Sequence, residues 1–149
     1  MSNGYITEEA IEVVASFLDV YRVDLKGFSE ETYQRIGHVK EYGKILETTE
    51  KAKEHGMHVE VVTNVIPGYN DSERELRGIA SWIRNTLGPE IPWHVTRFYP
   101  HLELRNLAPT PIRNLERAWK IGNEEGLWYV YLGNVPGHRW ENARRYSIC

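Results

Sequence analysis

The sequence predicts an α/β fold: a parallel sheet of about four strands alternating with helices. Three observations carry that prediction. Short runs rich in β-branched and aromatic residues recur at 20–25, 57–63, 93–98 and 127–132. The segments between them are longer and place apolar residues at helical spacing. Gly56, Gly88 and Gly126 each close a helical segment just before the next run. Strands joined through helices run parallel with right-handed crossovers.

Each element has its own local reason. Thr7 caps a first helix that carries Ile11, Val14, Ala15 and Leu18 on one face. The strand at 20–25 follows and is ended by Lys26-Gly27. After a short helical piece at 30–36, residues 42–55 align Ile45, Leu46, Thr49 and Ala52 and stop at Gly56. The second strand ends at Asn64, before the Pro67-Gly68 turn. Ser72 with Glu75 reads as a capping box, and Leu76, Ile79, Ala80 and Ile83 follow up to Gly88-Pro89. Beyond the third strand, Thr110 reads as a cap and Pro111 as the first residue of a helix through Leu115, Ala118 and Ile121. The fourth strand closes the pattern.

Composition narrows the class. The chain has 149 residues, 41% of them hydrophobic and 26% charged, which fits one globular domain over residues 1–149. No Ser/Gly-rich linker divides it. A net charge of −3 and a pI near 6.1 argue against a basic face for nucleic acid. No apolar run approaches the roughly 20 residues of a spanning helix, and no signal-peptide pattern opens the chain, so the expected setting is cytoplasmic, away from membranes. Cys149 is the sole cysteine, too few for a disulfide or for a zinc or iron–sulfur site built from several thiolates of this chain. His38, His55, His58, His94, His101 and His138 show no metal-ligand spacing.

The ends of the sheet look unfinished. Ser2-Asn3-Gly4-Tyr5 has the chemistry of a strand end with no strand before it. A four-stranded parallel sheet leaves two open edges unless it closes or is covered, and a complete eight-stranded barrel takes about 250 residues. The expectation is a partial parallel (β/α) barrel whose preceding part is missing.

In α/β folds ligands sit beyond the carboxyl ends of the strands, and the polar candidates cluster there. Asp24 and Lys26 fall on the same side of a strand end. The carboxylate can accept from hydroxyl or ammonium groups, and the amine can hold a carboxylate or form a Schiff base; a plain ion pair at the sheet rim explains them equally well. Thr63-Asn64 and the loop at 66–71 offer either ligand contacts or turn chemistry. Arg97 can clamp a carboxylate at the third strand end. Glycines in the loop at 133–138 either admit a ligand close to the backbone or simply turn the chain. Arg144-Arg145-Tyr146 reads as a solvated tail.

Taken in order, Ser2-Asn3-Gly4-Tyr5-Ile6, Val23-Asp24-Leu25-Lys26-Gly27-Phe28, Ile66-Pro67-Gly68-Tyr69-Asn70-Asp71, Pro92-Trp93-His94, Arg97-Phe98, Ala108-Pro109-Thr110-Pro111 and the run from Tyr129 to His138 form a set. That set resembles the second half of radical S-adenosylmethionine proteins akin to pyruvate formate-lyase activating enzymes, in the AmmeMemoRadiSam-system branch. The resemblance implies a partial (β/α)6 barrel, with S-adenosylmethionine and a [4Fe–4S] cluster as cofactors. It also implies reductive cleavage to a 5′-deoxyadenosyl radical, which abstracts hydrogen from a substrate; in activating enzymes that substrate is a glycine in a partner protein. By the same resemblance, Ser2 and Asn3 match a strand-end motif near S-adenosylmethionine, and Asp24 and Lys26 match the Asp-x-Lys pair on its polar groups. Val65 or Ile66 matches an apolar contact, and Tyr99 stands where relatives often carry histidine. The family's Cys-x3-Cys-x2-Cys loop and Gly-Gly-Glu-like segment are not in this chain. Cys149 corresponds to the start of a cysteine region in relatives.

The expectation is therefore a C-terminal portion that does not assemble the cluster alone and needs a missing N-terminal half or a partner chain. Two other readings remain open at this stage. One is a non-catalytic module that completes a barrel with another chain. The other is a Schiff-base lyase using Lys26, which borohydride trapping would detect.

Overall fold

A computed structural model describes residues 1–137. Cys149, His138 and the Arg144-Arg145-Tyr146 tail lie outside the described residues. In chain order the elements are α1 (Glu8–Ala15), β1 (Val20–Asp24), α2 (Glu30–Gly37), α3 (Gly43–Glu54), β2 (His58–Val65), α4 (Glu73–Trp82), β3 (Trp93–Arg97), α5 (Ile112–Glu124) and β4 (Val130–Gly133). The strands form one parallel sheet in the order β1-β2-β3-β4. Sequence neighbours are sheet neighbours, so every crossover steps the same way and the helices share one face. The fold is the predicted α/β alternation of parallel strands and helices.

Alternation along the strands sorts the two faces. Val23, Val61, Val65, Trp93, Val95 and Leu132 point to the helix side and join the core with Ile45, Leu76, Ile79 and Leu115. Arg22, Asp24, Glu60, Asn64, His94 and Tyr131 point the other way and stay half-buried. That second face is the inner wall of the partial barrel. The apolar side chains thus close the helix side, and the polar ones gather on the inner side.

The local signals act mostly as expected, with instructive exceptions. Thr7 Oγ1 accepts from Ala10 N and Ser29 Oγ from Thr32 N, so both helices start on side-chain caps. In α1 Ile11 is fully buried, whereas Leu18 is 45% exposed, because the helix ends at Ala15, before Leu18 can turn inward. Ser72 Oγ accepts from Glu75 N, but the Glu75 carboxylate turns away and accepts from Phe28 N at 2.5 Å. The capping box is half made. Thr110 does not cap α5: Pro111 takes that place without a side-chain bond, and Thr110 Oγ1 binds strand-end backbone instead. Strand β2 runs on to Val65 because its pairing with β3 continues to Val65–Arg97. Strand β4 starts only at Val130, since Leu127 N is held by Gly122 O and Trp128 N by Pro89 O. A π-helical turn, Ile83–Leu87, extends α4 to Gly88 and buries both of its end residues.

One sheet edge is partly dressed. Ser2 bridges in parallel to Val23, with Ser2 N donating to Arg22 O and Asp24 N donating to Ser2 O, both at 2.8 Å. Gly4 then turns the chain at φ +78°, where a Cβ would lie 2.4 Å from Ile45 Cγ2. Only glycine fits there. Among the described residues, the outer edge of β4 has no partner strand.

Candidate functional site

The carboxyl ends of the four strands and the Ser2 bridge lie along one rim. On β1, Lys26 Nζ donates to Asp24 Oδ2 at 2.5 Å, and both side chains are about a quarter exposed (29% and 25%). The pair is electrically neutral as a unit. It leaves Asp24 Oδ1 to accept from a ligand hydroxyl or ammonium group. Lys26 N donates to Tyr33 Oη, whose ionisation burial pushes up beyond reach, so that oxygen stays a neutral acceptor. Ser2 Oγ accepts from Gly4 N, and the exposed Asn3 accepts from Tyr5 N. A cavity of about 600 Å³ opens beside this turn, lined by Tyr5, Ile6, Glu9, Lys44 and Thr48 among others, but it lies between α1 and α3 and not on the inner wall.

At the β2 end Val65 is wholly buried on the helix side, and Ile66 is 6% exposed. Val65 therefore presents no side chain to the inner wall, and Ile66 only a narrow edge. Beyond β3, Tyr99 is 46% exposed. The Arg97 guanidinium lies 5.1 Å from the centre of its ring, Arg97 Nη1 donates to Tyr99 Oη, and Tyr99 Oη donates to Asn134 O. Asn134, at φ +57°, returns a bond from Nδ2 to Arg97 O. The structure thus brings Asp24 and Lys26 together, but Ser2, as the bridge partner of Val23, turns its side chain to the helix side beside Tyr21, and only its backbone meets Asp24. Tyr99 stands across the rim with Arg97 and Asn134.

Below the rim a row of polar and aromatic side chains crosses the inner wall. Glu60 lies 3.5 Å from Arg22 Nε and 3.3 Å from His94 Nε2, neither with hydrogen-bond geometry. His94 stacks on Tyr131 at 5.3 Å between centres, and Tyr131 on Tyr129 at 6.4 Å. Burial holds the His94 imidazole below its usual pKa; Glu60 opposes that shift and Arg22 adds to it. Sequence reasoning missed Glu60, although the alternation of Glu60 and Asn64 between apolar neighbours carried the signal. It also took Asn70 and Thr110 for turn and cap residues.

Among the described residues, no group of three His, Cys, Asp or Glu side chains could hold a metal ion. The residues present do not fit an iron–sulfur cluster, and no step here is routed through one. The rim does fit a polar, cationic organic ligand. It offers a free carboxylate oxygen, an exposed aromatic ring and an edge of backbone.

Comparison with known proteins gives the family. The radical SAM superfamily profile matches residues 1–78. The chain belongs to the radical SAM superfamily. A protein of Methanocaldococcus jannaschii is 40% identical over 143 residues, covering 96% of this chain and 42% of that protein. The chain therefore spans less than half the length of the curated relative it matches. A domain of a pyruvate-formate lyase-activating enzyme from Bacteroides vulgatus superposes with a TM-score of 0.73 at 16% identity, covering 89% of this chain and 78% of that one. A radical SAM methyltransferase from Sphaerobacter thermophilus gives 0.70 at 15% identity, covering 88% and 38%. At those identities the two structures establish the shared fold. The family generally uses S-adenosylmethionine and a [4Fe–4S] cluster. No helix among the described residues is long and apolar enough to cross a membrane.

Proposed function

We propose that this chain supplies the S-adenosylmethionine-facing strand ends of a radical SAM enzyme similar to the glycyl-radical activating enzymes. The observation that carries the reading is the Asp24–Lys26 pair on the inner side of the β1 end, beside the Ser2 bridge and inside the family match. When bound, S-adenosylmethionine and the family's cluster supply reductive cleavage of the sulfonium and hydrogen abstraction from a substrate. The residues of this chain bind and orient. Lys26 fixes Asp24 Oδ2, leaving Oδ1 aimed at ligand hydroxyl or ammonium groups. Ser2 holds the strand end through its backbone, Asn3 follows it at the exposed turn, Ile66 contributes an apolar edge, and Tyr99 offers its ring to the adenosine side.

Three cluster thiolates cannot come from one cysteine, so the chain by itself does not assemble the cluster and is not active alone. It works with a polypeptide that carries the cysteine loop, and the exposed Val13, Phe17, Leu18 and Val20 near the β1 edge favour such packing. A protein substrate, as in activating enzymes, belongs to this reading.

Two measurements test it. Titration with S-adenosylmethionine, followed by NMR of the chain, is expected to shift the Asp24 and Lys26 signals, and Asp24→Asn is expected to weaken binding about tenfold or more. Equal affinity in Asp24→Asn rejects the role of the pair. Anaerobic reconstitution with iron and sulfide is expected to leave the chain without a stoichiometric cluster; finding one would overturn the claim of dependence on another polypeptide.

A further inference from the structure

Two polar side chains at the rim, Asn70 and Thr110, are wholly buried. Each ties together backbone from two neighbouring strand ends. The β1–β2 ladder runs out just past the Asp24–Val62 register, where Leu25 N donates to Val62 O. Asn70 continues it. Its Nδ2 donates to Lys26 O at 2.8 Å and Asn64 O at 2.9 Å, while its Oδ1 accepts from Ile66 N at 2.6 Å. The β2–β3 ladder ends at Val65–Arg97. There Thr110 Oγ1 donates to Val65 O at 2.5 Å and accepts from Phe98 N at 3.1 Å. The Thr110 backbone adds two more bonds: its carbonyl accepts from Arg97 Nε at 2.8 Å, and its N–H donates to Phe98 O at 3.2 Å.

A buried amide that satisfies one N–H and two carbonyls is close to fully used. No apolar side chain can substitute for it, and Asp lacks the two donors. Turn formation alone does not require these bonds, because they reach 44 and 45 residues away, to Lys26 and to Val65. What they fix in common is the relative position of Lys26, Ile66 and the segment from Arg97 to Tyr99.

We propose that Asn70 and Thr110 are positioning residues, two buried latches that carry strand pairing past the end of the sheet and set the β1, β2 and β3 ends as one rigid rim for the ligand. The inference rests on the reading that this rim takes S-adenosylmethionine. Without the latches the Asp24–Lys26 pair and Tyr99 would keep their chemistry and lose their spacing.

The test uses the full chain with Asn70→Leu, which keeps the branched shape and removes all three bonds, with Thr110→Val, which removes only the hydroxyl, and with Thr110→Ser, which restores it. Leu127→Ala, in the core just before β4 and so at the opposite end of the sheet from the rim, is the control for lost stability. S-adenosylmethionine is the probe, read by its dissociation constant and by the ligand-free NMR signals of the Asp24 carboxyl carbon and the Tyr99 ring. Asn70→Leu is expected to shift the Asp24 signal, Thr110→Val the Tyr99 ring, and each to weaken binding tenfold or more. Thr110→Ser is expected to stay within about threefold of the parent chain, and Leu127→Ala to lower the melting temperature while moving neither readout. Should Asn70→Leu fail to fold, the Thr110 pair of variants decides alone. Latch variants that lose stability like the control, yet keep both side-chain signals and bind within twofold of the parent chain, would overturn the inference. If the latch variants move the side-chain signals while Asp24→Asn binds like the parent chain, positioning stands and the assignment of the ligand falls.

Discussion

His94 carries a pH signature that follows from where one ring is placed. Burial removes the solvation of the charged imidazolium, and Arg22 adds repulsion, while Glu60 at 3.3 Å recovers part of the loss. The balance leaves the folded value below the unfolded 6.5. As the medium is acidified, the unfolded chain therefore takes up its proton first. The His94 contribution to stability is complete above 6.5 and is lost as pH falls through the lower, folded value. Urea midpoints at pH 7.5 and pH 5 should differ less in His94→Gln than in the parent chain; an equal difference would place the titration elsewhere. Glu60→Gln removes the one favourable charge and should lower the His94 value further, as read by NMR titration of its ring. A second single-residue case is Gly4, held at φ +78° against Ile45. Gly4→Ala meets both a strained backbone and a blocked Cβ, and should cost about 1–3 kcal/mol in urea unfolding. It should also disturb the Ser2 bridge to β1.

At the scale of elements, the ties that matter are side chains binding backbone far along the chain. Glu75, 6% exposed in the first turn of α4, holds Phe28 N at the turn between β1 and α2, 47 residues away. Glu75→Ala strands that N–H, and the expected loss is about 1–3 kcal/mol, with Phe28 amide exchange accelerated. Unchanged exchange at Phe28 would show that the turn is held by other contacts. This is also where the sequence stopped being legible. Signals that act within four residues could be read directly: the Thr7 and Ser72 acceptors, the glycine stops, and the apolar spacing of Leu76, Ile79 and Ala80. The Asp24–Lys26 pair was readable for the same reason, since two residues on one strand face must lie side by side. Glu75, Asn70 and Thr110 were legible as residues suited to caps and turns. Each also binds a partner more than 40 residues away. No local pattern can name a partner that only the finished sheet brings near. Glu60 is intermediate, because alternation put it on the polar face while register alone brought it to Arg22 and His94.

For the whole molecule, the decisive contrast is between its two faces and its two edges. The helix face is closed by a continuous apolar core, and the inner face is half-open and polar. The packed core and the polar candidate residues thus lie on opposite sides of one four-stranded sheet. The edges are less settled, since parallel strands expose unpaired N–H and C=O groups that recruit other chains unless something covers them. Ser2 covers β1 at two points, occupying Arg22 O and Asp24 N. The exposed Val13, Phe17, Leu18 and Val20 lie near that same edge, so the dressed stretch is short and flanked by apolar surface. Removing residues 1–3 should therefore have two linked results. The Asp24 amide should lose protection in hydrogen exchange, and sedimentation velocity should show association that grows with concentration, as bare β1 edges meet. Asp24 would keep Lys26 as its side-chain partner, so a shortened chain that stays monomeric with a protected Asp24 amide would mean that β1 needs no outer neighbour. Association that disappears when Phe17→Asp is added would instead assign the drive to the apolar surface beside the edge, and backbone pairing would then follow contact that the side chains begin.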